Sequence, residues 1–202
     1  MIKRIVGIDP GKSGGIAWFD LNDAGDIHQA AAVKMPDTEL RISEQLARLA
    51  QKKQVDDEII CYLEGVHAMP ATRQINDRQA AANLCKQILG RYDNQIVQQL
   101  EAAGVGKRVE IIQGSVGTFT FGQGFGFLRG CLVTLKIRYE LVRPVDWQTV
   151  NGCRSGGNKN VTKERAAKLF PGIKMTHYIA DSLLICNYGH KIFLSDRRQM
   201  RR

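Results

Sequence analysis

Two short apolar runs, each ending in a carboxylate, constrain this chain more than any other feature. Ile2–Asp9 reads IKRIVGID and Glu58–Glu64 reads EIICYLE. Each has the length and apolar content of a strand bounded by turn residues. Between them Leu40, Ile42, Leu46 and Leu49 recur at helical spacing over residues 38–53, with Thr38 as the expected cap. Strand, helix and strand in that order predict two parallel neighbours joined by a crossover. Asp9 and Glu64 then end adjacent strands at the same edge, where open α/β sheets present side chains to a crevice.

The rest of the chain fits around this pair. Gly11, Gly14 and Gly15 lead into a strand-like run at 16–19. The NDAGD cluster is a turn, and 27–33 is a third strand, so an antiparallel meander is expected. Residues 73–103 are polar and Gln-rich and predict helix, broken in two near Gly90 and the Asp93-Asn94 pair. A strand at 109–112 and a Gly- and Phe-rich approach at 114–126 precede an apolar helix over 127–137. A short strand at 140–142 leads to a helix begun by Pro144, a favourable position for proline. Residues 151–160 have loop composition. A helix over 162–170 is expected with Thr162 as its cap, and a last helix over 177–188. The expected fold class is α/β: an antiparallel three-strand meander plus parallel strands, flanked by helices. One domain over 1–190 is expected, with a helical insertion at about 73–112 and a basic C-terminal tail at 191–202.

Charge points toward a polyanion. Lys and Arg total 29 against 20 Asp and Glu, a net +9. Neutralising nucleic-acid phosphates releases condensed counterions, which rewards such a balance. A merely basic soluble protein has the same charge. No run reaches the roughly 18 consecutive apolar residues of a membrane span. The N-terminus passes almost directly into a strand, leaving no room for a targeting peptide. Five scattered cysteines form no CxxC pair, so neither a zinc site nor a disulfide framework is indicated, and a reducing cytoplasm is the simplest location.

Two carboxylates at one sheet edge repel each other unless a cation lies between them. Magnesium suits them, because it takes hard oxygen ligands and keeps waters that a phosphate can replace. Asp181 adds a third acid from a helix otherwise lined by Ile179, Ala180, Leu183, Leu184 and Ile185, with His177 one turn earlier on the same side. Each residue has a plainer alternative. Asp9 can start a turn, Glu64 can be solvated, Asp181 can form a surface ion pair, and His177 can sit beside the cap Thr176.

In sequence the motifs "GIDPGKSGGIAWF", "CYLEGVHAMP" and "THYIADSLLICNYG" resemble the three acidic motifs of RuvC-type Holliday junction resolvases. The similarity is closest to the chloroplast-type branch and its bacterial and phage relatives. That branch has comparable "FTFGQGFGFLRG", "RPVDWQ" and "GNKNVTKERAAKLFP" segments, and the likeness covers roughly 1–70 and 114–190. It implies a ribonuclease H-like fold and a homodimer that cuts four-way or other branched DNA with paired symmetric nicks. The cofactor implied is Mg2+, two ions per site about 3.5–4 Å apart, with Mn2+ able to substitute. Asp9, Glu64 and Asp181 would be metal ligands, and His177 a fourth ligand or a neighbour of the attacking water.

Lys163 would contact the scissile phosphate, with Lys159 a weaker candidate; a solvated helix start is the alternative for both. His67 and Met69 would meet unpaired bases at the junction centre, or would be ordinary loop residues. The helix over 127–137 would serve as dimer surface or as core. Gln148 departs from the pattern, standing where relatives often carry lysine. Action on RNA or other branched DNA stays open. An actin-like ATP-binding protein, with "DPGKSGG" as its phosphate turn, is a weaker alternative, since a lone Gly-rich turn says little.

Overall fold

The computed structural model describes residues 2–51, 57–65, 72–76, 78–111, 115–154 and 156–199. They group into two compact units, one of residues up to 67 and from 121 onward, the other of residues 68–120.

The first unit is built on a five-stranded sheet. Its strands are β1 (Ile2–Asp9), β2 (Gly15–Leu21), β3 (Ile27–Lys34) and β4 (Glu58–Glu64), with a fifth contributed by Arg138–Val142. The spatial order is β3-β2-β1-β4 and then that fifth strand. β1, β2 and β3 form the expected antiparallel meander, and β4 lies parallel to β1. The fifth strand in turn lies parallel to β4. Helix α1 (Glu39–Ala50) makes the crossover from β3 to β4, and the Thr38 hydroxyl accepts from the Arg41 N–H at its start.

Both faces of the sheet are covered, which accounts for the nearly continuous apolar run of β1. On one face Val6, Ile8, Ile16, Cys61 and Leu63 meet Leu46 and Leu49 of α1, together with Leu128 and Leu132. On the other, Ile5, Ala17, Phe19, Ile60 and Tyr62 meet Trp147, Ala166, Leu183 and Leu184. Fully burying a side chain of this size contributes about 1.5–3 kcal/mol.

The second unit holds α2 (Arg78–Leu89) and α3 (Asn94–Ala102), and a hairpin-like pair of strands, β5 (Thr72–Asn76) and β6 (Lys107–Ile111). In chain order the fifth strand of the first unit is therefore β7. Ala81, Ala82, Cys85 and Val97 make a small separate core. The Asp93 carboxylate caps α3 by accepting from the Gln95 and Ile96 N–H groups. The expected break between the two helices is present. The expectation of helix from residue 73 is corrected: Thr72–Asn76 is a strand, held by pairing with a distant partner rather than by any apolar periodicity of its own.

Four helices follow. α4 spans Ser115–Thr134, α5 Pro144–Asn151, α6 Lys159–Leu169 and α7 His177–Gln199. Three expected boundaries move. α4 starts well upstream of residue 127, because burial of Leu128 and Leu132, with Phe125, Cys131 and Leu135 packed beside them, outweighs the helix cost of its glycines. α6 starts at Lys159 with Asn158 as its cap, so Thr162 lies inside the helix. α7 continues past Tyr188 to Gln199, because Gly189, His190 and Phe193 are buried. Among the described residues, no helix is long and apolar enough to cross a membrane.

Candidate active site

Register sets the first two acids side by side. Ile8 pairs with Leu63 across β1 and β4, so Asp9 and Glu64 are the next residues on two parallel neighbours. Side chains alternate along a strand, so Asp9 shares the face of Ile5, and Glu64 the face of Ile60 and Tyr62. That is the face covered by α7.

A glycine brings the third acid in. A Cβ built on Gly7 would lie 2.4 Å from the Ser182 carbonyl oxygen and 2.5 Å from the Cys186 nitrogen, both backbone atoms of α7. The helix backbone therefore rests directly on β1, a closeness only glycine permits. The Cys186 thiol donates to the Ile5 carbonyl at 3.2 Å along the same seam. Asp181, next to Ser182, is thereby held against the strand ends that carry Asp9 and Glu64.

Burial raises all three carboxylates, and neighbouring acids raise Asp9 and Glu64 further. Burial, then the charges of Glu64 and Asp181, push the Asp9 carboxyl up to about 8. Glu64 is raised chiefly by burial, and Asp181 adds to the rise. Asp181 is itself raised by burial, against a hydrogen bond from Thr162 and the charges of Lys159 and His177. Asp9 and Glu64 also share a hydrogen bond, which raises Asp9 and lowers Glu64.

Two supporting residues were not anticipated from the sequence. The Trp147 indole N–H donates to Glu64 Oε1 at 3.0 Å and holds that carboxylate from α5. A buried Trp must place its N–H somewhere, and that requirement is the one signal that pointed to it. Thr162 is buried, and its hydroxyl reaches both the Lys159 carbonyl at 3.1 Å and the Asp181 carboxylate. Its single proton serves one of them at a time. Behind Trp147, fully buried Asn151 donates to the Trp147 and Leu184 carbonyls at 2.8 Å and accepts from Asn187 at 2.7 Å, tying α5 to α7.

The basic candidates separate. The charge of Lys159, exposed at the start of α6, acts on Asp9, Glu64 and Asp181 alike. Lys163 is half-buried one turn further along α6. His177 is exposed at the first position of α7, and its charge reaches Asp181. Gln148 neighbours Trp147 in α5. His67 and Met69 lie outside the described residues.

The donor set suits a hard divalent cation. Asp181 Oδ1 is buried with no hydrogen-bond partner, the kind of orphaned acceptor that calls for an ion or a water. Carboxylates raised by burial and by neighbouring acids gain from a cation placed between them. Among the described residues, no group of three or more His, Cys, Asp or Glu side chains stands ready to hold a metal as placed. Ligation would therefore take small side-chain movements.

Solved structures share this architecture. T. thermophilus RuvC in complex with a Holliday junction substrate aligns over 92% of this chain and 91% of that one, with a TM-score of 0.50 at 12% identity. A second Thermus thermophilus RuvC structure aligns over 95% and 96%, with a TM-score of 0.50 at 11% identity. The fold is the ribonuclease H-like fold of RuvC. No protein-family model matches the chain, and no curated protein matches it significantly. The likeness to RuvC therefore stands at the level of fold.

Proposed function

We propose that this protein is a divalent-metal-dependent endonuclease that resolves four-way DNA junctions by paired nicks. The observation carrying the reading is the convergence of Asp9, Glu64 and Asp181 at one corner of the sheet, all three with raised pKa values. The junction substrate is supported by the motif resemblance and by the fold likeness to a RuvC that was solved with such a junction. The same motifs favour the chloroplast-type branch.

Asp9, Glu64 and Asp181 would hold Mg2+, with His177 as a further ligand or beside the water. Bound there, the cation supplies Lewis acidity at the phosphate and lowers the pKa of water. Trp147 keeps one oxygen of Glu64 tied, so that carboxylate enters the site in one orientation. Thr162 would do the same for Asp181 when its hydroxyl turns from the Lys159 carbonyl, leaving Oδ1 free. Lys159 and Lys163 at the start of α6 would hold the phosphodiester over the acids. A two-fold homodimer would place two such sites on the two matching strands of a junction. The α4 surface, with Val133 exposed and open space at Gly126 and Gly130, is the face we assign to that contact.

The test is cleavage of synthetic four-way, three-way, flap and RNA substrates side by side in Mg2+. Symmetric nicking of the four-way junction is expected, leaving 5′-phosphate and 3′-hydroxyl ends. Asp9→Asn should abolish cutting yet still bind the junction. If that variant cuts at the wild-type rate, the assignment of the site is wrong. Preferred cleavage of another substrate would keep the nuclease and replace the junction.

A further inference from the structure

The strand ends carry more than the acids. Asp9 is the register partner of Gly15, and Gly15 is the register partner of Lys34. This row crosses three strands, so Lys34 stands two strand spacings from Asp9, about 10 Å. Tyr178 lies over the middle of the row: a Cβ on Gly15 would be 2.5 Å from the Tyr178 carbonyl oxygen. The Lys34 ammonium sits 4.5 Å from the centroid of the Tyr178 ring.

Three properties set this pair apart from a packing contact. Tyr178 is 42% exposed although it belongs to the first turn of a largely buried helix. Lys34 is exposed and makes no ion pair among the described residues, so its ammonium can reach an outside anion. Both flank the acids on the meander side, since Asp9 and Glu64 end two inner strands while Lys34 ends the outer one. A cation held beside an exposed ring is the combination by which proteins grip single-stranded nucleic acid, the ammonium on phosphate and the ring against an unstacked base.

We infer that Lys34 and Tyr178 form a nucleotide-binding subsite for the strand flanking the cleaved phosphate, on the meander side of the acids. The inference rests on the nuclease reading of the site. Lys34 takes a neighbouring phosphodiester, and the Tyr178 ring both steadies the ammonium and meets the adjoining base. The subsite selects strands that are unpaired or frayed beside the cut.

The experiment measures binding and cutting separately. Anisotropy titrations use a fluorescent four-way junction and a short oligo(dT), in chelator so that nothing is cut. Cleavage of the junction is followed in Mg2+. Lys34→Met keeps the stem and removes the charge. It should weaken oligo(dT) binding about threefold to tenfold and lower the salt slope by about 0.7, one phosphate contact on a single strand. Tyr178→Ala should weaken it about fivefold to 150-fold, the range of one lost stacking contact, while Tyr178→Phe should bind like wild type. If wild type binds and cuts but Lys34→Met and Tyr178→Ala bind oligo(dT) as it does, the subsite is refuted and the nuclease stands. A wild-type protein that neither binds nor cuts any DNA would overturn both. Far-ultraviolet circular dichroism and melting of each variant separate loss of binding from loss of fold.

Discussion

Replacing Asp9 by Asn should stabilise the metal-free protein at neutral and alkaline pH, although it destroys the proposed activity. In the unfolded chain this carboxyl titrates near 3.8, and in the fold burial and the neighbouring acids push it up to about 8. The folded protein therefore holds a proton that the unfolded chain has released. Its stabilising contribution is complete below 3.8 and is lost as pH rises toward 8. At pH 7 the unfolded state lies about three pH units above its own pKa, and each unit is worth about 1.36 kcal/mol, an upper bound near 4 kcal/mol. Relaxation and entry of water at the rim reduce this, so a gain of about 1–3 kcal/mol is expected from Asn. For a chain of this length that is a rise in melting temperature of roughly 3–10 °C. Asn also keeps a donor toward Glu64, so packing is conserved. The assay is thermal unfolding of wild type and Asp9→Asn in chelator from pH 4 to pH 8, repeated with Mg2+. The difference should be small at pH 4 and widest at pH 8, and Mg2+ should raise wild type more than the variant. An Asp9→Asn protein no more stable than wild type at pH 8 in chelator would refute the desolvated acid cluster.

Gly7→Ala should destabilise the fold by at least about 2 kcal/mol, read by urea unfolding, because the added methyl meets helix backbone that cannot rotate away. Trp147→Phe should retain the fold but free Glu64 Oε1, lowering cleavage about tenfold and weakening the apparent Mg2+ affinity in a metal titration. Lys159→Ala should slow cleavage and also raise the pH at which Mg2+ first protects against melting, since it removes a charge that favours all three carboxylates. Lys163→Ala should weaken junction binding and flatten its salt dependence without that pH shift.

The β1–β3 meander, the α1 crossover and parallel β4 were legible because apolar runs, turn clusters and a capping threonine all pointed the same way. The pairing of Asp9 with Glu64 followed from register alone. β5 was illegible, since TRQIN has no alternation and owes its strand form to a partner some thirty residues on. The helix at Ser115 was hidden by glycines, which lower propensity but not burial. Gly189 sits under the Tyr62 ring, where a Cβ would lie 2.2 Å away, and so marks a crossing point rather than the end of α7. Trp147 and Thr162 escaped notice because a hydrogen bond between distant elements leaves no periodic trace. Lys159 outweighs Lys163 because it stands at the first position of α6 and its charge acts on all three acids.

The seat of α7 on Gly7 has a consequence for synthesis. Chains emerge N-terminus first, and what has emerged can fold before the rest exists. Asp9 and Glu64 are made early, whereas Asp181 arrives on a helix that docks only after α5 and α6 have been made. Until then the sheet presents Gly7 and its apolar neighbours uncovered, with two of the three clustered acids in place. A ribosome-bound intermediate would then be sticky but would lack the proposed site, which the same docking event that closes the core would complete.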